Sequence, residues 1–254
     1  MMGWLVVASG AIADDAKVTV IAARDAEPPK EVRLETNIAQ EEHYRLGRLL
    51  FRMSHVEREL HASNYPLEAS FSINHDIPWN TQFSWKSGRS ECFIGIRFEQ
   101  GNIFPLSGAV YRVEKLAQHD SQAGERGEGV AILKRLDDQW TKSICPNSDS
   151  LVVVLKQGTA SLHHVGVDVT DMTTNETDAD QPAIATVRFS IGKPPQLAPT
   201  ARVRAGDILV LPTWKGQPKV YKHKVRRVVP PDKAKGVIGW IELDPEPIID
   251  DPKP

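Results

Sequence analysis

The hydrophobic positions of this chain recur with two different periods. Over most of the sequence the period is two. The stretch 91–98, ECFIGIRF, alternates Cys92, Ile94, Ile96 and Phe98 with the positions between them, which predicts a strand with one buried face. Similar stretches at 17–23, 108–116, 129–136, 150–156, 162–169 and 183–191 are separated by polar or glycine-bearing segments. That punctuation predicts a sandwich or barrel of short strands. One stretch departs from it: Leu46, Leu49, Met53, Val56 and Leu60 recur at intervals of three and four. This spacing predicts an amphipathic helix over 38–61, with Asn37 and Gln40 as its capping box. Arg45, Arg48, Arg52 and Arg58 would form its solvated face.

The same patterning divides the chain. Residues 1–13 carry an apolar run that ends in Ala11-Ile12-Ala13 and is followed at once by two aspartates, the cleavage pattern of a secretory signal although no basic residue precedes it. The run is too short to span a membrane. Residues 14–64 then hold the first strand and the helix, and 65–192 the sandwich-like domain. The three prolines of 192–200 mark a boundary, 200–247 forms a small barrel-like β unit with strands near 207–212, 224–230 and 237–243, and 248–254 is an extended tail. The expected fold is mainly β: a sandwich-like antiparallel domain, one amphipathic helix and a small C-terminal β-barrel-like unit that leans on the larger domain. With 18 prolines and 17 glycines in 254 residues, long helices are disfavoured elsewhere.

Charge changes this picture little. The formal net charge of −2 gives no global attraction to nucleic acid or anionic membrane. Cysteine use changes it more. Cys92 and Cys145 are the only two, and an even pair in an exported chain predicts a disulfide. Closing that loop would stabilise by about 4 kcal/mol on the chain-entropy account.

Four stretches could carry chemistry. In 161–172, SLHHVGVDVTDM, strand alternation would put His163 on the apolar face of Val165, Val167 and Val169, and His164 with Gly166 and Asp168 on the other. Adjacent residues on opposite faces cannot ligate one ion, so no metal is assigned and no cofactor is expected. The loop 74–85 sets His75 beside Asp76, candidates for a general base and its orienting acid, and Trp79 and Trp85 as a platform for a sugar or other flat ligand. Between 215 and 235 eight Lys or Arg face one acid, Asp232, the composition of a groove for a polyanion such as a cell-surface glycan or nucleic acid. Lys222, Lys224 and Arg226 would share its face, with Arg227 opposite. The acidic tail residues Asp244, Glu246, Asp250 and Asp251 could equally balance that strand. Asn175-Glu176-Thr177 is a glycosylation sequon. The chain has no G-x-S-x-G, no H-E-x-x-H and no phosphate-binding glycine loop. Together these features point to a secreted or periplasmic, non-catalytic binding or structural β protein. A hydrolase or carbohydrate binder working from 74–85 and a polyanion binder using the basic strand are the alternatives.

Overall fold

The computed structural model describes residues 18–36, 43–57, 66–76, 92–119, 127–155, 160–174, 182–191, 196–213 and 219–250. Segment 1–13, with its signal-like run, lies outside them. Among the described residues there are eighteen strands and one short helix, numbered here in chain order. The first sheet has nine strands in the order β1 (Val18–Ala22), β3 (His43–Leu46), β4 (Leu49–Glu57), β5 (Glu68–His75), β6 (Cys92–Glu99), β11 (Ala160–Leu162), β12 (Val165–Thr173), β13 (Ile184–Ile191) and β14 (Gln196–Val203). Only its β1–β3 pair is parallel. The second has four, β2 (Glu31–Glu35), β9 (Gly129–Arg135), β8 (Ala109–Gln118) and β7 (Ile103–Leu106). The third runs β10 (Leu151–Val154), β17 (Trp240–Leu243), β16 (Val220–Val229) and β15 (Ile208–Val210), with β18 (Ile248–Asp250) also on β16.

The fold is mainly β and sandwich-like, as the period-two stretches predict. The core follows from their alternation. Ile94, Ile96 and Phe98 on β6 are buried, as are Val165, Val167 and Val169 on β12 and Leu209 on β15. Phe98 stacks on Phe104 of β7 with centroids 3.6 Å apart and meets Phe71 of β5 at 5.3 Å. This aromatic column ties the nine-stranded sheet to the four-stranded one, and each fully buried ring contributes roughly 2–3 kcal/mol.

The amphipathic helix expected over 38–61 is not there. Its described residues form the hairpin of β3 and β4, in which Leu46 pairs with Leu49 across a two-residue turn. Gly47 takes the first turn position with φ 59°, as such short hairpin turns favour. A register shift between Met53 and His55 then leaves Met53 and Val56 both buried. A two-residue turn makes Leu46 and Leu49 three apart, two strand periods make Leu49 and Met53 four apart, and the bulge makes Met53 and Val56 three apart. A bent hairpin has thus reproduced the spacing of a helix face. The one helix, α1 (Gln139–Ile144), lies elsewhere.

The C-terminal unit also differs from expectation. It is an open sheet, not a closed barrel, and it takes its fourth strand from further back in the chain, because β10 pairs with β17 from Leu151 opposite Leu243 to Val154 opposite Trp240. The proline-bearing stretch near 196–203 is β14, the edge of the nine-stranded sheet. The tail residues Ile248–Asp250 are extended and hydrogen-bonded to β16.

A second two-residue turn, Ser107-Gly108, joins β7 to β8, with φ 51° and 74°. A Cβ on Gly108 would lie 2.8 Å from the backbone Cα of Ser148, whereas one on Gly101 (φ 89°) would meet nothing within 4 Å. Gly101→Ala should therefore cost about 1 kcal/mol for the positive φ alone. Gly108→Ala should cost at least 1–2 kcal/mol more, because backbone must shift. Urea denaturation midpoints of the two variants measure the difference, and equal midpoints would contradict the close approach at Ser148.

Candidate functional site

Strand β16, VYKHKVRRVV, carries four Lys or Arg and one His, and is paired on both sides. Its inward residues Tyr221, His223 and Val225 face the nine-stranded sheet. Its partner there is the β11–β12 turn, made of His163 and His164. Both have positive φ, 49° and 66°, a conformation that costs a non-glycine residue of order 1 kcal/mol or more. The strand expected over 162–169 is thus broken at its two histidines. His163 is nevertheless buried and His164 exposed. The His163 ring lies flat on Tyr221, with centroids 3.8 Å apart and planes 6° apart. Its Nε2 is 3.2 Å from Nε2 of His223.

Hydrogen-bond bookkeeping fixes the protons of this pair. His223 Nδ1 lies 2.9 Å from the carbonyl oxygen of Asp244, which only accepts. Nδ1 therefore carries the hydrogen, Nε2 of neutral His223 accepts, and His163 Nε2 donates. Burial, with His223 and His164 adding to it, holds His163 at about 3. Burial also lowers His223, partly offset by Asp244. Both rings are neutral near pH 7. Among the described residues no group of three or more His, Cys, Asp or Glu is placed to hold a metal ion, and Asp168 is engaged elsewhere, by Arg188 at 3.3 Å.

Below the pair, charge on β16 is taken up by neighbouring elements. Arg226, in a bulge between Val225 and Arg227, pairs with Asp244. It also reaches Asp149 at 3.2 Å and donates to Ser150 Oγ at 2.8 Å. Ser150 in turn donates to Glu242 Oε1 at 2.6 Å, and the backbone N–H of Asn147 donates to the same oxygen at 3.0 Å. Glu242 is buried. Its other oxygen faces Arg227 at 3.5 Å, and Arg227 donates to the carbonyls of Ser143 and Cys145 at 2.9 and 3.1 Å, closing the end of α1. Lys222 pairs with Asp250 of the tail. Lys224 is exposed. Lys222, Lys224 and Arg226 are therefore not one free cationic row: the tail partners Asp244 and Asp250 hold two of them.

The other candidates are dispersed. His75 ends β5, buried, and burial lowers it to about 4. It lines a cavity of about 20 Å³ with Leu49, Leu106, Ser107 and Ser148, room for one water. Asp76 points the other way and pairs with Arg45 at 3.2 Å. Trp79 and Trp85, like the sequon at Asn175, lie outside the described residues. The expected disulfide is absent: Cys92 and Cys145 are both free. Cys92 is enclosed at the start of β6, hydrogen-bonded to the backbone of His75, and burial pushes its thiol well above the usual range. Cys145 follows α1 and donates to the carbonyl of Gly108 at 2.9 Å. The two thiols have different partners, the backbone of His75 for Cys92 and the carbonyl of Gly108 for Cys145. Cys145 borders an open cleft of about 250 Å³ with Arg135, Asp137 and Lys142, where Arg135 is held by Asp137 at 2.8 Å and Glu27 at 2.9 Å. The inter-sheet role of His163 and His223 had no signal in spacing, since the two residues are sixty apart. Compared with family models, curated proteins and solved structures, the chain matches none.

Two outcomes follow from these environments. The unfolded chain protonates its histidines near pH 6.5, whereas His75 and His163 resist until about 4 and 3 in the fold. Between those values the unfolded state binds more protons, so stability is full above about pH 7 and is lost as pH falls. Between pH 6.5 and 5 each such histidine should contribute a slope of up to about 1.4 kcal/mol per pH unit. His163→Asn, which tolerates positive φ, should flatten the slope in urea titrations, and an unchanged slope would mean that His163 titrates normally. Thiol titration should find two free thiols after denaturation, with Cys145 reacting in the native protein and Cys92 protected. A single disulfide by non-reducing mass analysis would contradict this.

Proposed function

We propose that this chain is a non-catalytic, extracytoplasmic β module that binds a partner, with the C-terminal sheet as its binding element. The observation that carries the reading is the way the polar side chains of β16 are used. His223, Arg226 and Arg227 all turn to groups of the same molecule, which is the behaviour of a scaffold. The same sheet keeps the apolar side chains of Ile208, Val210 and Ile248 in water, which is the behaviour of a contact surface. His75 supports the non-catalytic part, since an enclosed imidazole beside a cavity for one water has no access to a substrate, and Asp76 is committed to Arg45. The extracytoplasmic part rests on Ala11-Ile12-Ala13 and the aspartates after it.

The test has two arms. Residues 1–26 fused to a bacterial export reporter should deliver it outside the cytoplasm, with a mature chain that starts near Asp14. A reporter retained with Met1 intact would overturn the location. The full chain should show no hydrolysis across ester and glycoside panels; an activity abolished by Asp76→Asn at unchanged melting temperature would overturn the non-catalytic reading. In the same preparations Arg226→Ala should destabilise by on the order of 2–3 kcal/mol, because Asp244 and Asp149 lose their partner, while Lys224→Ala should leave the melting temperature unchanged.

A further inference from the structure

Strand β15 ends the third sheet. Its ladder with β16 sets Ile208 opposite Lys224, Leu209 opposite His223 and Val210 opposite Lys222. The flanking bonds show which backbone groups the ladder uses. The N–H of Val225 donates to Asp207 O at 2.8 Å, and the N–H of Leu211 donates to Tyr221 O at 2.9 Å. Positions 207, 209 and 211 therefore bond inward to β16, and by antiparallel alternation the N–H and C=O groups of Ile208 and Val210 point away from it. The side chains of the same two residues are on the outer face, 42% and 48% exposed, while Leu209 is buried. Two rows beyond, Ile248 of β18 is 48% exposed across Lys222 from Val210. An edge whose backbone groups at Ile208 and Val210 have no partner among the described residues, with exposed β-branched side chains at the same two positions, is a template for a further strand.

We propose that this edge takes an extended, acidic segment of a partner protein as an added strand on β15. The inference rests on the reading of the C-terminal sheet as a binding element. Charge selects the occupant. Lys224 lies directly across from Ile208, Lys219 precedes β16 and Arg204 precedes the turn into β15, and all three are exposed. None of the three makes an ion pair among the described residues. Two acids nearby are already engaged, Asp250 by Lys222 and Asp207 by the backbone N–H of Arg204. Lysine stems can lie over Ile208 and Val210 and bring their ammonium groups to the incoming strand. A second copy of this chain fits less well. Pairing β15 with itself would bring the uncompensated cations of both copies to one edge, and an edge of three residues falls far short of the roughly 1,000 Å² that a stable dimer needs.

The test uses the full chain and a fluorescein-labelled hexapeptide that alternates glutamate and valine, with a lysine–valine counterpart as control. The acidic peptide should bind, weaken as salt rises, and outcompete the basic one. Val210→Pro removes an N–H that points to the free edge and leaves the β16 ladder whole, so it should raise the Kd at least tenfold at unchanged melting temperature. Val210→Lys, which blunts the edge without touching backbone, should do the same and serves if the proline variant fails to fold. Equal affinity for the two peptides, or affinity unchanged in Val210→Lys, overturns the proposal. So does a concentration-dependent dimer that Val210→Lys dissolves, which would give the edge to a second copy. Retention on heparin without peptide binding would give the cations to a polyanion and overturns it too. The export and hydrolysis assays do not involve β15, so their failure is separable from failure here.

Discussion

A strand paired on both sides that carries Lys222, His223, Arg226 and Arg227 at buried or half-buried positions can hold them there only if they are partnered, because an unpaired buried charge costs several kcal/mol. That constraint organises the C-terminal half of the molecule. Asp244 meets it twice, with its carboxylate on Arg226 and its carbonyl on His223. Glu242 serves Arg227 from the next position but one, and Ser150 links the two arginine sites. Since Asp149 and Ser150 immediately precede β10, the network also fixes where the earlier part of the chain enters the third sheet.

The histidine pair meets the same constraint without charge. Two neutral imidazoles can share one hydrogen between Nε2 atoms provided that one ring is held as acceptor, and the Asp244 carbonyl does this for His223. His163 can reach that acceptor only from a tight turn, so the left-handed backbone at His163 and His164 is the local cost of a contact between two sheets. The strain sits where packing over-determines it, under the Tyr221 ring.

How much of this was legible in the sequence depended on whether the signal was local. Alternation marked the strands around β6, β8, β9, β12 and β13 because each buries one face against a continuous core. Where a turn and a bulge fell inside ten residues, as between Leu46 and Val56, alternation was phase-shifted into helical spacing. The β-branched and aromatic content of that stretch was not high enough to arbitrate. At the histidines, a period-two reading predicted the buried and exposed sides but not the turn, since a two-residue turn between paired strands also sends neighbouring side chains to different surroundings. Parity of cysteine count suggested a bond that geometry does not make. The acidic tail was legible as a partner of the basic strand, while the particular pairs, Arg226 with Asp244 and Lys222 with Asp250, depended on a bulge and a register that no spacing encodes.

The third sheet mixes polar and apolar groups on its inward side, where Leu209, Val225 and Leu243 lie in the core beside the imidazole of His223 and the phenol of Tyr221, while outward β15 and β18 carry isoleucine and valine beside lysine. An interior rich in fixed hydrogen bonds gives a sheet one register and one position against its neighbour, whereas the apolar outer rows contribute nothing to that fixation and leave Ile208, Val210 and Ile248 in contact with water. The rigidity that the network imposes on β16 extends to β15 through three ladder pairs, so the free edge is held in a fixed shape even though few residues form it. A pre-set edge would lose little conformational entropy on adding a strand, so its short length costs less than it would on a flexible one.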